Sequence, residues 1–301
     1  MESTCTLTRP DSIRRGWVMT TLLMICLAIA DGETQITRKA FDELSERNVS
    51  RAGDQALKMT GIKWEHYETE HFIFHSETGF AAAQLASASE EFYREIKEDL
   101  GITEDNFQRK SHLYVFLNET AWKEFAAHNR LDPWTGGCCN GRELFFRSRP
   151  HFSFQGTTLP HEMTHLALYR FIGGDIPLWL NEGFAEFEST RLYRIYLKKR
   201  NYRLPILAPL VEKDRYIPVD SLTRAVDYPS NAAGAKAFYA ESQRLVSYLH
   251  QMPGGGPTFL KFMKRHCAGL TFESAAKEIY GSAFPGMNTF NEKFRAYATQ
   301  E

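Results

Sequence analysis

One pentapeptide constrains the fold of this chain more than any other stretch, because its chemistry depends on a helix. It reads His161-Glu162-Met163-Thr164-His165. Residues four apart on an α-helix share one face, so the two imidazoles can bind one metal ion. Glu162 lies about 100° around the same turn, where its carboxylate can take a proton from a metal-bound water. The pentapeptide therefore predicts a helix that carries a zinc site.

The flanking residues favour defined helix ends on both sides of this motif. A Thr pair at residues 157–158 offers an N-cap, and Pro160 falls in the first turn, where its missing N–H is harmless. A Gly pair at residues 173–174 supplies a C-terminal stop. Residues 177–186 then carry a second helix signal. We therefore expect two helices joined by a short turn.

A catalytic zinc site needs a third protein ligand and an open fourth position for water. A site with three His ligands would place its last His at position 171, which is Phe171, and would need a Gly turn where Leu168 stands. That arrangement is excluded. Glu182 follows after residues 166–181, which is enough chain for the first helix to end and for a second helix to return past it.

The motif at residues 161–165 and the segment Trp-Leu-Asn-Glu-Gly-Phe-Ala at 179–185 together resemble the gluzincin zinc metallopeptidases. This is the superfamily of aminopeptidase N and thermolysin, and the second segment is most similar to aminopeptidase N and to bacterial peptidase MA-like domains. The resemblance implies that Glu182 is the third zinc ligand. It also implies an α+β fold, a thermolysin-like zincin catalytic domain with a small mixed sheet before the zinc helix and a helical C-terminal half.

Two further site residues are expected. The pattern at residues 239–249 resembles a helix of the peptidase MA-like domains, and in the aminopeptidase N relatives a Tyr on that helix stabilises the oxyanion, which implies this role for Tyr239. The alternative is a core aromatic residue. Glu186 shares a helix face with Glu182. It either orients one zinc-binding His, since such residues usually donate their other N–H to a carboxylate, or is an exposed helical Glu.

The aminopeptidase N relatives also carry a Gly-x-Met-Glu-Asn signature that captures a free amino terminus. The nearest text here is residues 141–144, which lack the Asn, so aminopeptidase activity is in doubt. Residues 143–147 and 151–154 are strand-like, and we expect them to provide an exposed sheet edge that pairs with an extended substrate. Residues 134–137 are interpreted as a loop.

The first thirty residues resemble a targeting segment. Three Arg residues precede an uncharged run at 16–30, which ends in a small-x-small cleavage pattern at 28–30. The run is short for a membrane span, so we predict a cleaved signal peptide over 1–30 and an extracytoplasmic (secreted or periplasmic) protein. The alternative is a retained anchor, the one case in which we expect a membrane partner.

Cleavage would leave Cys138, Cys139 and Cys267. Neighbouring cysteines bridge each other only with strain, so either one of the pair joins Cys267 or all three stay unpaired. A zinc site from the pair lacks the spacer that lets both sulfurs reach one ion. We assign these cysteines no chemistry.

The full length of 301 residues and its 43% hydrophobic content suit one medium domain or two small ones, and the chain after residue 30 is interpreted as one catalytic unit. An N-terminal segment spans 31–65, the sheet and zinc-helix half spans 66–200, and a helical half spans 201–301. The His residues near the strand at 71–75 are interpreted as polar positions of a half-exposed strand and not as metal ligands. A net charge of −1 argues against a nucleic-acid partner.

These patterns predict zinc-dependent peptide-bond hydrolysis with Glu162 as general base, acting on a peptide or protein substrate. Whether the enzyme cuts within chains or at their ends stays open. One alternative is a zinc-binding but inactive binding or scaffold module, although such a module needs no base and a structural zinc usually has four protein ligands. The other is a core helix that carries the pentapeptide by chance.

Overall fold

A six-stranded mixed sheet is the frame on which the helices of this protein pack. The computed structural model describes residues 34–103, 109–131, 135–147, 157–201 and 209–300. The strands are β1 (Thr37–Lys39), β2 (Glu65–Glu68), β3 (Phe72–Ser76), β4 (Ser111–Phe116), β5 (Gly137–Asn140) and β6 (Glu143–Arg147). Their spatial order is β1-β2-β3-β4-β6-β5. The pairs β3–β4 and β4–β6 are parallel and the others are antiparallel.

Ten helices surround the sheet or form the C-terminal half of the described chain. They are α1 (Arg51–Leu57), α2 (Gly79–Leu100), α3 (Glu119–His128), α4 (Thr158–Phe171), α5 (Leu178–Lys199), α6 (Val219–Thr223), α7 (Ala232–His250), α8 (Gly255–Cys267), α9 (Phe272–Tyr280) and α10 (Met287–Thr299). The predicted α+β class with a mixed sheet is confirmed.

The two sheet faces bury separate apolar clusters because side chains alternate along each strand. Phe72, Phe74 and Val115 pack with α2 and α4 in the larger cluster, which continues into the helical half. Tyr114 and Phe116 point the other way and pack with α1 and α3. Burial on both faces leaves β3 with no exposed position. The expectation of a half-exposed strand at 71–75 is therefore wrong.

Among the described strands, the sheet edge next to α4 is β5 and not β6. Strand β6 forms as predicted but lies between β4 and β5. The predicted strand at 151–154 lies outside the described residues. Gly137, assigned to a loop, is the first residue of the edge strand. The hairpin turns at Gly141, whose φ of 63° suits the first position of a type II′ turn.

Helix α4 has the boundaries that its flanking residues indicate. Thr157 occupies the N-cap position, although its side chain makes no capping hydrogen bond. Gly173 and Gly174 both have positive φ values, of 66° and 69°, and reverse the chain so that α5 begins after Pro177. The two helices pack against each other. This hairpin brings the pentapeptide next to the start of α5.

Helix α7 approaches α5 more closely than ordinary side chains allow. A Cβ atom on Gly183 would lie 2.5 Å from the carbonyl oxygen of Ser242. Glycine is therefore required at this helical position, despite its poor helix propensity. The close contact fixes the segment that carries Glu182 against the helix that carries Tyr239.

The N-terminal segment and the long connection have more structure than the sequence suggested. Strand β1 and helix α1 belong to the segment 31–65, and both pack on the sheet. The described part of the connection, 209–231, contains α6 and a short 3-10 turn at Lys213–Arg215. None of the described helices combines the length and apolarity that a bilayer crossing needs. The predicted signal peptide, 1–30, lies outside the described residues.

Candidate metal centre

The two pentapeptide histidines and the first turn of α5 place three ligand atoms around one point. The Nε2 atoms of His161 and His165 lie 3.1 Å apart. The Oε2 atom of Glu182 lies 3.6 Å from the first and 3.8 Å from the second. Among the described residues, this is the group of three His, Cys, Asp or Glu side chains close enough to hold a metal ion.

The geometry of these three atoms fits zinc. Zinc binds nitrogen and oxygen at about 2.0–2.1 Å, so ligand atoms at the corners of a tetrahedron lie about 3.3–3.4 Å apart. The three observed separations bracket that value. The donor set, two imidazoles and one carboxylate, is the one that leaves a fourth corner for water. Zinc is therefore the group that this site fits.

The electrostatics of the site also favour a cation. Burial alone would lower the pKa of His161, but Glu182 and Glu186 raise it to about 10. Burial would raise the pKa of Glu182, yet the two imidazoles and the Tyr228 hydroxyl hold it below its usual value. The pocket therefore stabilises positive charge on an imidazole, and a divalent ion would supply more of it.

Each imidazole has a second polar partner on α5. The Oε1 atom of Glu186 lies 3.3 Å from Nδ1 of His161. The side-chain oxygen of Asn181 lies 3.0 Å from Nδ1 of His165. A partner at Nδ1 fixes the tautomer and leaves Nε2 for the metal. The structure thus places Glu186 beside His161, and its role in orienting that ring stays a prediction. Asn181 was missed, although it belongs to the segment that carries the resemblance.

Glu162 lies in the same cleft and contacts the edge strand. Burial raises the pKa of its carboxyl group above the usual value, while the two imidazoles lower it. The nearby backbone N–H of Cys139 also lowers this pKa. The proposed general base therefore lies next to the strand on which an extended substrate would pair.

Tyr228 is the site residue that sequence reasoning missed altogether. Its hydroxyl donates to Oε1 of Glu182 at 2.7 Å, whereas Oε2 of the same carboxylate faces the two imidazoles. Tyr239 stacks on it with ring centroids 6.0 Å apart. Burial and the nearby Glu182 raise the pKa of Tyr239 to about 12, so its hydroxyl stays protonated at neutral pH. No pattern marks Tyr228, because it lies in the irregular connection before α7.

The edge strand carries no acidic side chain. Residues 136–140 read Gly-Gly-Cys-Cys-Asn and include this strand, whereas residues 141–144 form the hairpin turn and the start of β6. Cys139 lies on the strand and lines the cleft. Burial and Glu162 raise the pKa of its thiol well above the usual value. A neutral thiol cannot form an ion pair with an ammonium group.

The described cysteines are free thiols. Cys138 and Cys139 are neighbours on β5 and Cys267 ends α8. Burial raises the pKa of Cys138 to about 12 and that of Cys267 to about 11. Thiols held protonated in this way are poor nucleophiles and poor metal ligands.

The three proposed ligands, Glu162, Tyr228 and Tyr239 line one cleft of about 710 Å³. Its wall on the sheet side is β5, and its mouth includes Arg130, Asp175 and Tyr169. The volume accommodates several residues of a peptide. The arrangement supplies a metal position, a base, a hydroxyl donor and an exposed strand, which are the parts that hydrolysis of a peptide needs.

The chain resembles solved structures of zinc peptidases at low identity. Native yeast LTA4 hydrolase matches 78% of this chain at 12% identity with a TM-score of 0.46, over 38% of its own length. An M1 zinc metallopeptidase from Deinococcus radiodurans matches 77% at 12% identity with a TM-score of 0.38, over 48% of its length. The chain thus spans less than half the length of each. No protein-family model and no curated protein sequence matches it.

Proposed function

We propose that this protein is a zinc-dependent peptidase. The observation that carries the proposal is the clustering of His161, His165 and Glu182 within 4.8 Å, with Glu162 lining the same cleft. A purely structural zinc would have four protein ligands and no adjacent base. The proposal includes export from the cytoplasm, which rests on the residue pattern at 1–30 alone.

Bound zinc would lower the pKa of a coordinated water toward about 7 and polarise a carbonyl group. Glu162 would then accept the proton of the attacking water as a new C–O bond forms. When the C–N bond breaks, Glu162 returns that proton to the leaving amine. A carboxyl group whose pKa is raised by burial suits both steps, because it accepts a proton more readily than an ordinary carboxylate does.

Tyr239 would act where negative charge develops. Its protonated hydroxyl lines the cleft and can donate to the carbonyl oxygen as the tetrahedral intermediate forms. Tyr228 would instead act on the ligand, since its hydrogen bond occupies Oε1 of Glu182 and leaves Oε2 for the metal. The two tyrosines therefore have different proposed roles despite their contact.

We further propose that the enzyme cuts within peptide chains. Cys139 lies on the strand that lines the cleft, and its buried thiol carries no charge to bind an amino terminus. This supports an endopeptidase over an aminopeptidase.

The test combines metal analysis with hydrolysis of an internally quenched peptide library. We expect about one zinc per chain, lost in Glu182→Ala, and chelator-sensitive cleavage at internal bonds. Glu162→Gln should keep the zinc and the fold but lower activity by about 10³-fold or more, because it removes a base and not a ligand. Wild-type protein without zinc would refute the site. Zinc-loaded protein without hydrolysis would instead support an inactive binding module.

A further inference from the structure

A second pocket adjoins the catalytic cleft beyond the end of β5. It has a volume of about 540 Å³ and lies between the β5–β6 turn, the start of β4 and the segment at 46–50. Gly141 and Tyr169 line both this pocket and the cleft. A Cβ on Gly141 would lie 3.5 Å from the Tyr169 ring, so these two residues form the shared wall. A chain that leaves the cleft along β5 passes directly into the second pocket.

The acidic groups of this pocket are already satisfied by the protein. Glu143 accepts hydrogen bonds from the backbone N–H and the hydroxyl of Ser50. Glu46 accepts from the backbone at residues 47–48 and pairs with Arg109 at 3.4 Å. These carboxylates therefore have donors without any ligand. They do not make the pocket a site for a cation.

Two donors that line the pocket have no partner among the described residues, and one of them is also shielded from water. The guanidinium of Arg142, at the exposed hairpin turn, has no ion-pair or hydrogen-bond partner among the described residues. The Nε2 atom of His112 is buried and likewise lacks a partner within the described chain, and His112 itself is only 1% exposed. A buried polar atom without a partner is costly, so a ligand that bonds to it gains the missing interaction.

A chain of imidazoles determines what His112 can offer. Nδ1 of His66 lies 2.8 Å from Nδ1 of His75, and Nε2 of His75 lies 2.9 Å from Nδ1 of His112. Burial lowers the pKa of all three, so each ring carries one proton. If His66 donates to His75 and His75 to His112, the remaining proton lies on Nε2 of His112. The chain can thus leave an N–H on His112, which lines the pocket with Arg142 but whose Nε2 atom is covered in the unliganded protein.

The direction of β5 indicates which part of a substrate reaches this pocket. The bond from Arg147 N–H to the Gly136 carbonyl fixes the alternation along β5, so the Cys139 N–H and C=O face away from β6. A peptide that pairs antiparallel with this edge, the more stable arrangement, has its amino-terminal part at Asn140. A strand advances about 3.4 Å per residue. The substrate residue that lies two or three positions before the one opposite Cys139 therefore reaches the turn at Gly141.

We propose that the second pocket binds the acidic side chain of a substrate residue on the amino-terminal side of the cleaved bond. The carboxylate would accept from the Arg142 guanidinium and, after a shift of the side chains that cover it, from His112 Nε2–H. This inference rests on the proposed function, because it assumes that a peptide lies along β5 in the cleft. It names acidic peptides as the substrate class of that cleft.

The first experiment measures hydrolysis of internally quenched peptides that differ by a single Glu or Gln, moved along the amino-terminal side. We expect kcat/KM to be about tenfold higher for Glu at one position. Arg142→Ala should bring the Glu-to-Gln ratio near one, because it removes the proposed partner of the substrate carboxylate. Arg142→Lys should keep most of the preference, and Arg142→Glu should reverse it. Lys277→Ala, an exposed cation on α9, is the matched control.

A binding measurement separates this inference from the proposed function. Fluorescence anisotropy with the Glu162→Gln protein reports affinity for the same peptides without turnover. Tighter binding of the Glu peptide that Arg142→Ala removes supports the pocket even if no hydrolysis is found. Equal binding of the Glu and Gln peptides, or a preference that survives Arg142→Ala, overturns it.

Discussion

Tyr228 and Tyr239 stack on each other at the metal centre but contact different groups. Tyr228 donates to the carboxylate of Glu182, whereas Tyr239 lines the cleft with a protonated hydroxyl. Substituting each with Phe keeps the ring and removes one hydroxyl. Comparing the two Phe variants therefore separates the effect of one hydroxyl on metal binding from the effect of the other on catalysis.

Tyr228→Phe should weaken zinc binding by about 10–100-fold, because a hydrogen bond to a ligand holds that ligand in its binding geometry. Competition with a chromophoric chelator gives the Kd. Activity at saturating zinc should fall much less. Tyr239→Phe is the control for affinity, since its hydroxyl is not bonded to a ligand. An unchanged Kd in Tyr228→Phe would mean that Glu182 is held in place by other contacts.

Tyr239→Phe should lower kcat by about 10²–10³-fold, as expected for the loss of one donor to a developing oxyanion. KM and zinc content should change little, because the interaction forms mainly in the transition state. Steady-state kinetics with a quenched peptide, together with the melting temperature, provide the measurement. A nearly normal kcat with a small loss of stability would return Tyr239 to the role of a core aromatic residue.

At the scale of elements, the metal centre depends on how closely α5 and α7 pack. The helices that carry the ligands were predictable, because Pro160 in the first turn and the glycine pair after the pentapeptide mark the start and the end of α4 locally. Strand β5 was not predictable: its sequence Gly-Cys-Cys-Asn has no alternating pattern, and it is a strand because β6 provides a partner. Tyr228 was not predictable either, because only the tertiary fold brings its segment next to Glu182.

Gly183→Ala tests the contact between α5 and α7. Alanine would add about 1 kcal/mol of helix propensity, but its Cβ would meet the Ser242 carbonyl oxygen at 2.5 Å. Overpacking against backbone costs about 1–3 kcal/mol, so we expect a lower melting temperature and a reduced zinc content. Gly183→Val should be worse in both measurements. A melting temperature at or above the wild-type value would show that the helices separate without cost.

At the scale of the whole molecule, buried carboxyl groups make stability depend on pH. Glu241 of α7 is 0% exposed and accepts from the backbone N–H of Ile217, while its Oε1 atom has no partner among the described residues. Burial raises the pKa of Glu241 to about 8. The folded state therefore holds a proton that the unfolded state has released. The contribution of protonated Glu241 to the free energy of unfolding is therefore complete below about pH 4.5 and is lost as the pH rises through 8.

Glu241→Gln should therefore stabilise the protein at pH 9 and have little effect at pH 5. The amide still accepts from Ile217 but carries no charge to bury. We expect a gain of about 1–2 kcal/mol at pH 9, or roughly 2–8 °C in Tm for a chain of this size. Thermal unfolding of both proteins across this pH range is the measurement. A constant difference in Tm between the two proteins from pH 5 to pH 9 would contradict a raised pKa at Glu241.

The contact of Gly183 with Ser242 also has a consequence for the time scale on which the protein opens. Two long helices with no room between their backbones cannot fray separately, so the amides of residues near Glu182 should exchange with solvent deuterium only when the whole domain unfolds. Residues 224–231, which carry Tyr228, connect α6 to α7 outside any helix and can open without disturbing that pair. A bound metal ion would then exchange through motions of this connection, much faster than the fold itself unfolds.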